Sequence, residues 1–257
     1  MKEWLKYRYN RLFLGVLFLL IVLNVFASLS ENDVLIQITK PLFIPVFIMF
    51  YYLKNRYVHI LFIVFFILSF IGDSSSVFLT NNTLIKLSGF MYLLSYLALT
   101  AYMVSKIKRI RFGKVVAAYF LVVICINSYF LFELYGIVKS QILDITEVNL
   151  FIAKSISIMI LAFVSFFIYL NSDTKQAILF LTTTLCFVFS EVMHYINNYY
   201  IYNWSFVVFN QTLYVIGLFF LFNYITGENR SRKRQLVLEK RSTEIISSKS
   251  SYTLIRQ

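Results

Sequence analysis

The chain has 257 residues, of which 60% are hydrophobic and only 14% charged, with a mean hydropathy of +0.75. That leaves too little polar surface for a soluble domain of this length and marks an integral membrane protein. The net charge of +12 does not point to nucleic acid, because the basic residues lie between and beyond apolar runs, where they act as an orientation signal.

A helix needs about 20 residues to cross the hydrocarbon core of a bilayer, and eight apolar runs are candidates. Residues 1–11, MKEWLKYRYNR, form a basic N-terminus. The first span, Leu12 to Ala27, imitates a secretory signal peptide; further spans follow directly, so it is read as an uncleaved helix. The second, Val34 to Leu53, carries the chain's two prolines, Pro41 and Pro45. Each proline removes an intrahelical hydrogen bond, which frees the carbonyls of Gln37 and Pro41 directly beside Lys40. Freed carbonyls inside a membrane must face protein or a wet cavity. The third span, Tyr57 to Leu79, contains SFIGDSSS, in which Ser69, Asp73 and Ser76 recur at i, i+4 and i+7 and so share one face. Ser75, taken alone, reads as a small packing residue.

The fourth span, Leu84 to Ser105, contains Gly89, and the fifth, Val115 to Phe132, contains Cys125. The sixth, Leu150 to Leu170, carries Lys154. The seventh, Gln176 to Asn197, aligns Thr184, Glu191, His194 and the adjoining Asn198 on one face. Cys186 in this span and Cys125 have neither CxxC nor metal-ligand spacing and read as small buried hydrophobes, so no metal and no cofactor is expected. The eighth span, Trp204 to Ile225, places Asn210, Tyr214 and Gly217 on one face with Gln211 beside them. Residues 226–257 are polar and basic and read as a partly disordered cytoplasmic tail.

The expected fold is therefore all-α: a polytopic bundle of eight transmembrane helices over residues 12–225, with the first and last four spans related as a parallel 4+4 repeat. Twenty of the 24 Lys and Arg fall on one side of this arrangement. The positive-inside rule puts both termini in the cytoplasm, and an even number of spans agrees. A bacterial inner (plasma) membrane is the expected location. The basic loops and tail would meet anionic lipid headgroups.

Lys40, Asp73, Lys154, Glu191 and His194 lie inside spans, where an ionisable side chain costs about 2.5–3.5 kcal/mol on insertion scales and needs a partner. Lys40, Asp73 and Glu191 each sit about 9 Å from the outer end of their span at 1.5 Å per residue. Lys154 and Gln211 lie at similar depth, so five helices place polar groups in one layer. Lys40–Asp73 and Lys154–Glu191 could be ion pairs that only fix helix packing. His194, three residues from the outer end of its span, could be interfacial, and His59 reads as interfacial. Convergence of five helices at one depth favours a shared cavity.

At these residues the chain resembles the lysoplasmalogenase, or YhhN-like, family of eight-span membrane proteins. The matching pieces are Lys40-Pro41-Leu42 with Pro45, Gly72-Asp73, Gly89, Ser190-Glu191 in place of the family's Ser-Asp, and Gln211 with Gly217. Where the family often carries a histidine and a tyrosine in span four, this chain has Ser95 and Ala98. The resemblance implies hydrolysis of the vinyl ether bond of a membrane lipid, a lysoplasmalogen, to a fatty aldehyde and a glycerophospho-base. Asp73 and Glu191 would then be the catalytic pair, following the two-carboxylate logic of glycoside hydrolysis. Lys40, Lys154, Ser69, Ser76, His194, Asn210 and Gln211 would bind and orient the polar part of the substrate, and Pro41, Pro45, Gly72 and Gly89 would shape the helices. A non-enzymatic reading also stands: the same layer could bind or transport a lipid or small cation.

Overall fold

The computed structural model describes residues 2–30, 33–54, 59–76, 82–107, 114–172, 174–201 and 203–254; within them the side chain of Lys40 lies outside the described set. Among these residues the chain forms eight helices: α1 Lys2–Leu29, α2 Asp33–Lys54, α3 Ile60–Ser76, α4 Asn82–Val104, α5 Lys114–Gln141, α6 Ile145–Asn171, α7 Lys175–Tyr199 and α8 Trp204–Leu254. Five stretches, in α4 to α8, are long and apolar enough to cross a membrane, and three shorter apolar stretches lie in α1, α2 and α3. The protein is all-α, and its five long apolar helices indicate a multi-pass membrane protein.

Local signals set the helix ends. The apolar run of span five stops at Phe132, before Glu133, but α5 continues to Gln141, because one exposed carboxylate does not break a helix. α6 starts at Ile145, ahead of the apolar run at Leu150. Asp144 caps it, its Oδ1 accepting from the Thr146 N–H at 2.9 Å, and Glu147 completes the spacing of a capping box. The Lys86 ammonium and the Thr146 N–H both hold the Asp144 carboxyl below its usual pKa. Thr174 caps α7 through the Ala177 N–H. α2 is helical through Pro41 and Pro45, and α8 continues through the basic segment to Leu254.

An aromatic core joins α1, α2, α3, α4, α7 and α8. The Phe13 ring lies 4.6 Å from Phe222 and 4.9 Å from Phe50, Phe62 lies 4.3 Å from Tyr102, and Phe180 lies 5.1 Å from Tyr224. Lipid tails are as apolar as these rings, so close packing rather than water exclusion holds such helices together. At one end of the bundle Lys106 pairs with Glu228, Asn229 reaches the Tyr51 hydroxyl, and Gln176 lies against Gly227. Burial opposes the charge on Lys106, but the hydrogen bond to Glu228 and the further attraction of Glu228 and Tyr102 together outweigh it and raise its pKa. At the other end Lys86 pairs with Asp144, and Gln141 Nε2 donates to the Tyr199 carbonyl at 2.9 Å.

The most extensive helix contact among the described residues, α7 on α8, depends on Gly217. A Cβ there would sit 2.7 Å from Phe187 Cε1 and 3.2 Å from Cys186 Cβ. Gly217→Val should destabilise the protein by about 1–3 kcal/mol through overpacking. Gly136→Val, at a position with nothing within 4 Å, is the control. Thermal unfolding of the purified variants would show it; equal midpoints would remove Gly217 from the packing argument.

Candidate active site

The polar layer closes into a cavity of about 40 Å³, lined by residues of six helices: Phe43, Asp73, Tyr92, Tyr96, Lys154, Ser190, Glu191, His194, Asn210, Gln211 and Tyr214. One water occupies about 30 Å³ of liquid, so the space suits a water or a small group rather than a lipid chain.

Asp73 enters from α3 and is fully buried. Its neighbour Gly72 explains how it is reached. A Cβ at Gly72 would lie 3.3 Å from the Tyr92 ring, so the missing side chain lets that ring lie against α3. Ser88 of α4 donates to the Gly72 carbonyl at 2.8 Å and fixes the same contact. Tyr92 then donates its hydroxyl to Asp73 Oδ1. One turn further along α4, Tyr96 donates to Glu191 Oε1 of α7 at 2.8 Å, and the two tyrosine rings stack 6.4 Å apart. Each carboxyl is thus held by a phenol from the same helix.

Glu191 also receives Lys154 of α6, whose Nζ lies 2.7 Å from Oε2. The ammonium sits 5.6 Å from the Tyr92 and Phe151 ring centroids, a cation–π position in a poorly solvated site. Of the two lysine–carboxylate pairs considered from the sequence, this one is present; the Lys40 side chain lies outside the described residues. From α8, the Asn210 main-chain carbonyl and Oδ1 lie 2.9 and 2.6 Å from Ser190 Oγ, whose single proton serves one of them at a time. Gln211 is buried and faces the cavity. His194, one turn from Glu191, also lines it, with Nε2 3.2 Å from Asn198 Nδ2.

The cavity therefore gathers Asp73, Lys154, Glu191, His194, Asn210 and Gln211. The two serines of the candidate set are placed differently. Ser69 is buried one turn from Asp73 without lining the cavity, and Ser76 turns its hydroxyl back to the Asp73 carbonyl at 2.7 Å. Thr184 likewise bonds back to its own helix, at the Phe180 carbonyl. Among the described residues of α2, Phe43, between Pro41 and Pro45, lines the cavity. Gly89 lies where α4 meets α6, and a Cβ there would make an ordinary contact, 3.7 Å from Leu150 Cβ.

Tyr92 and Tyr96 are not among the site residues expected from the sequence. Their i, i+4 spacing was the available signal, because a phenol inside a membrane bundle needs an acceptor. Ser95 and Ala98 are buried but do not line the cavity; the Ser95 hydroxyl bonds the Tyr92 carbonyl at 2.8 Å. The polar groups that α4 contributes are the two tyrosines.

Compared with known proteins, the chain matches no family model, no curated protein and no solved structure.

Proposed function

We propose that the protein is an integral membrane hydrolase that cleaves the vinyl ether bond of lysoplasmalogen-like lipids to a fatty aldehyde and a glycerophospho-base. One observation carries the reading: Asp73 and Glu191, from different helices, line a single water-sized polar cavity inside the membrane bundle. In this mechanism Asp73 gives its proton to the enol-ether carbon furthest from oxygen, leaving an oxocarbenium ion. A water attacks the carbon bonded to oxygen while Glu191, held as a carboxylate by Lys154, takes a proton from that water. The resulting hemiacetal collapses: its hydroxyl proton passes to Asp73, the C–O bond to glycerol breaks, and the glycerol oxygen takes the proton from Glu191. Both carboxyls return to their starting states, and one water is consumed. Tyr92 and Tyr96 hold the two groups in place, and Asn210, Gln211 and His194 orient the glycerol side. Incubating the purified protein with a 1-alkenyl lysophospholipid and following aldehyde release tests the reading.

A second reading has its own support. Both oxygens of Glu191 already accept hydrogen bonds, and the cavity suits a small cation or a water. A binding or transport protein for a lipid or small cation would use the same groups as ligands. Absence of aldehyde release from the wild-type protein would decide for it.

We further read all eight helices as spans in a bacterial inner membrane, with a parallel 4+4 repeat that sets Asp73 of α3 and Glu191 of α7 at equivalent places. Both termini are cytoplasmic in this reading. The charge asymmetry supports the orientation, as do the contacts that gather Tyr51, Lys106, Gln176 and Glu228 at one end of the bundle. The basic segments of that end would meet anionic headgroups. A reporter fused after Gly227 should report the cytoplasm and one fused after Leu143 the outside. An external signal at Gly227 would sink this topology.

A further inference from the structure

A second, larger cavity adjoins the site. It measures about 830 Å³ and lies between α5, α6 and α7. Ligand pockets commonly enclose about 300–1,000 Å³. Its existence follows from how α5 is attached. Near one end Phe120 packs on Phe163 and Phe166 of α6, with centroids 5.4 and 6.1 Å apart. At the other end Gln141 bonds the Tyr199 carbonyl of α7. Between these clamps α5 stands away from the bundle: only 6% of its span is buried, against 28–39% in the other four long spans. Without a hydrophobic force between helices in lipid, nothing draws the middle of α5 inward, and an apolar filler gains dispersion contacts on all sides.

The lining is chiefly hydrocarbon and aromatic, from residues such as Leu134, Ile137, Met159, Phe163, Leu185 and Val188. Two of its polar side chains are occupied by their own helices: Asn127 Nδ2 donates to the Val123 carbonyl and Ser155 Oγ to the Phe151 carbonyl. Glu191 lines this cleft as well as the polar cavity, and its side chain keeps 21% exposure where Asp73 has none. The cleft therefore leads from a chiefly apolar groove, which also carries the Glu133 carboxyl of α5, to Glu191 of the polar cavity.

We propose that this cleft holds the hydrocarbon chain of a single-chain lipid, with the linkage between chain and headgroup placed at Glu191. The proposal builds on the lipid-hydrolase reading, and its test separates the two. Full-length protein in nanodiscs is loaded with a lysophosphatidylcholine that carries a diazirine in its acyl chain. After irradiation the adducts are mapped by mass spectrometry, while aldehyde release is followed separately with the 1-alkenyl analogue. The ester probe lacks the vinyl ether, so its labelling does not depend on catalysis.

Adducts on the cleft faces of α5, α6 and α7, at residues such as Leu134 and Leu185, are the expected result. Ala162→Trp, which places a ring in the space a chain would take, should reduce them by about tenfold, a steric cost within the range of overpacking. Leu23→Trp, on an exposed face of α1, should leave them unchanged. Cleft labelling without aldehyde release would keep the chain site and overturn the hydrolase. Aldehyde release with adducts confined to the outer faces of the helices would keep the hydrolase and overturn the chain site. Labelling that Ala162→Trp leaves intact would also overturn it.

Discussion

Asp73→Asn should insert and fold like the wild type but release aldehyde from a 1-alkenyl lysophospholipid about 10²–10⁴-fold more slowly, the range lost with a general acid. The substitution keeps the shape of the side chain, and the amide oxygen still accepts from Tyr92, so the contact of α3 with α4 survives. What disappears is a group that can give up and recover a proton. Glu191→Gln should behave alike, because the amide can accept from Tyr96 but cannot deprotonate water. The double variant should be little worse than either single one, since the two carboxyls act in one proton cycle. Asp144→Asn, at the α6 cap outside the cavity, serves as the control. Undiminished hydrolysis by the Asp73→Asn protein would remove that residue from the chemistry.

Lys154→Met should be the most destabilising substitution in the site. Lys154 is buried and Glu191 half-buried, with Oε2 on the Lys154 ammonium at 2.7 Å and side chains 10% and 21% exposed. Removing one member of a buried ion pair leaves the other charge uncompensated and costs about 3–5 kcal/mol. Lys154→Met combined with Glu191→Gln should recover most of that loss, because no charge then remains and the Tyr96 hydroxyl keeps an acceptor. Thermal unfolding of the three proteins in one detergent gives the comparison. A double variant as unstable as Lys154→Met alone would mean that the lysine acts through packing of its stem and not through its charge.

The two variants separate roles that a single deletion would mix. The first changes proton transfer and leaves the helix contacts; the second removes the ammonium that pairs with Glu191 inside the bundle. Gly72 links both, since the space it leaves for the Tyr92 ring lets a phenol reach Asp73 across the α3–α4 contact.

Hydropathy by itself located the helices, because a stretch that must satisfy its backbone in lipid has little choice but to be helical. The placement of Asp73, Lys154, Glu191 and Gln211 in one layer was also legible, since depth along a helix is a matter of counting residues; the side chain of Lys40, the fifth group of that layer, lies outside the described residues. The ends of α5 and α6 were not read from apolar runs; they depend on caps and on the tolerance of an exposed Glu133. Only the tertiary structure decided which groups meet. It set Tyr92 on Asp73 and Tyr96 on Glu191, and turned the Ser76 and Thr184 hydroxyls back to their own helices. It also held α5 off the bundle between two end clamps. Counting along a chain gives the height and face of a residue. How helices rotate and approach is settled by the shapes that touch, such as a ring against a glycine, and those neighbours are far apart in sequence.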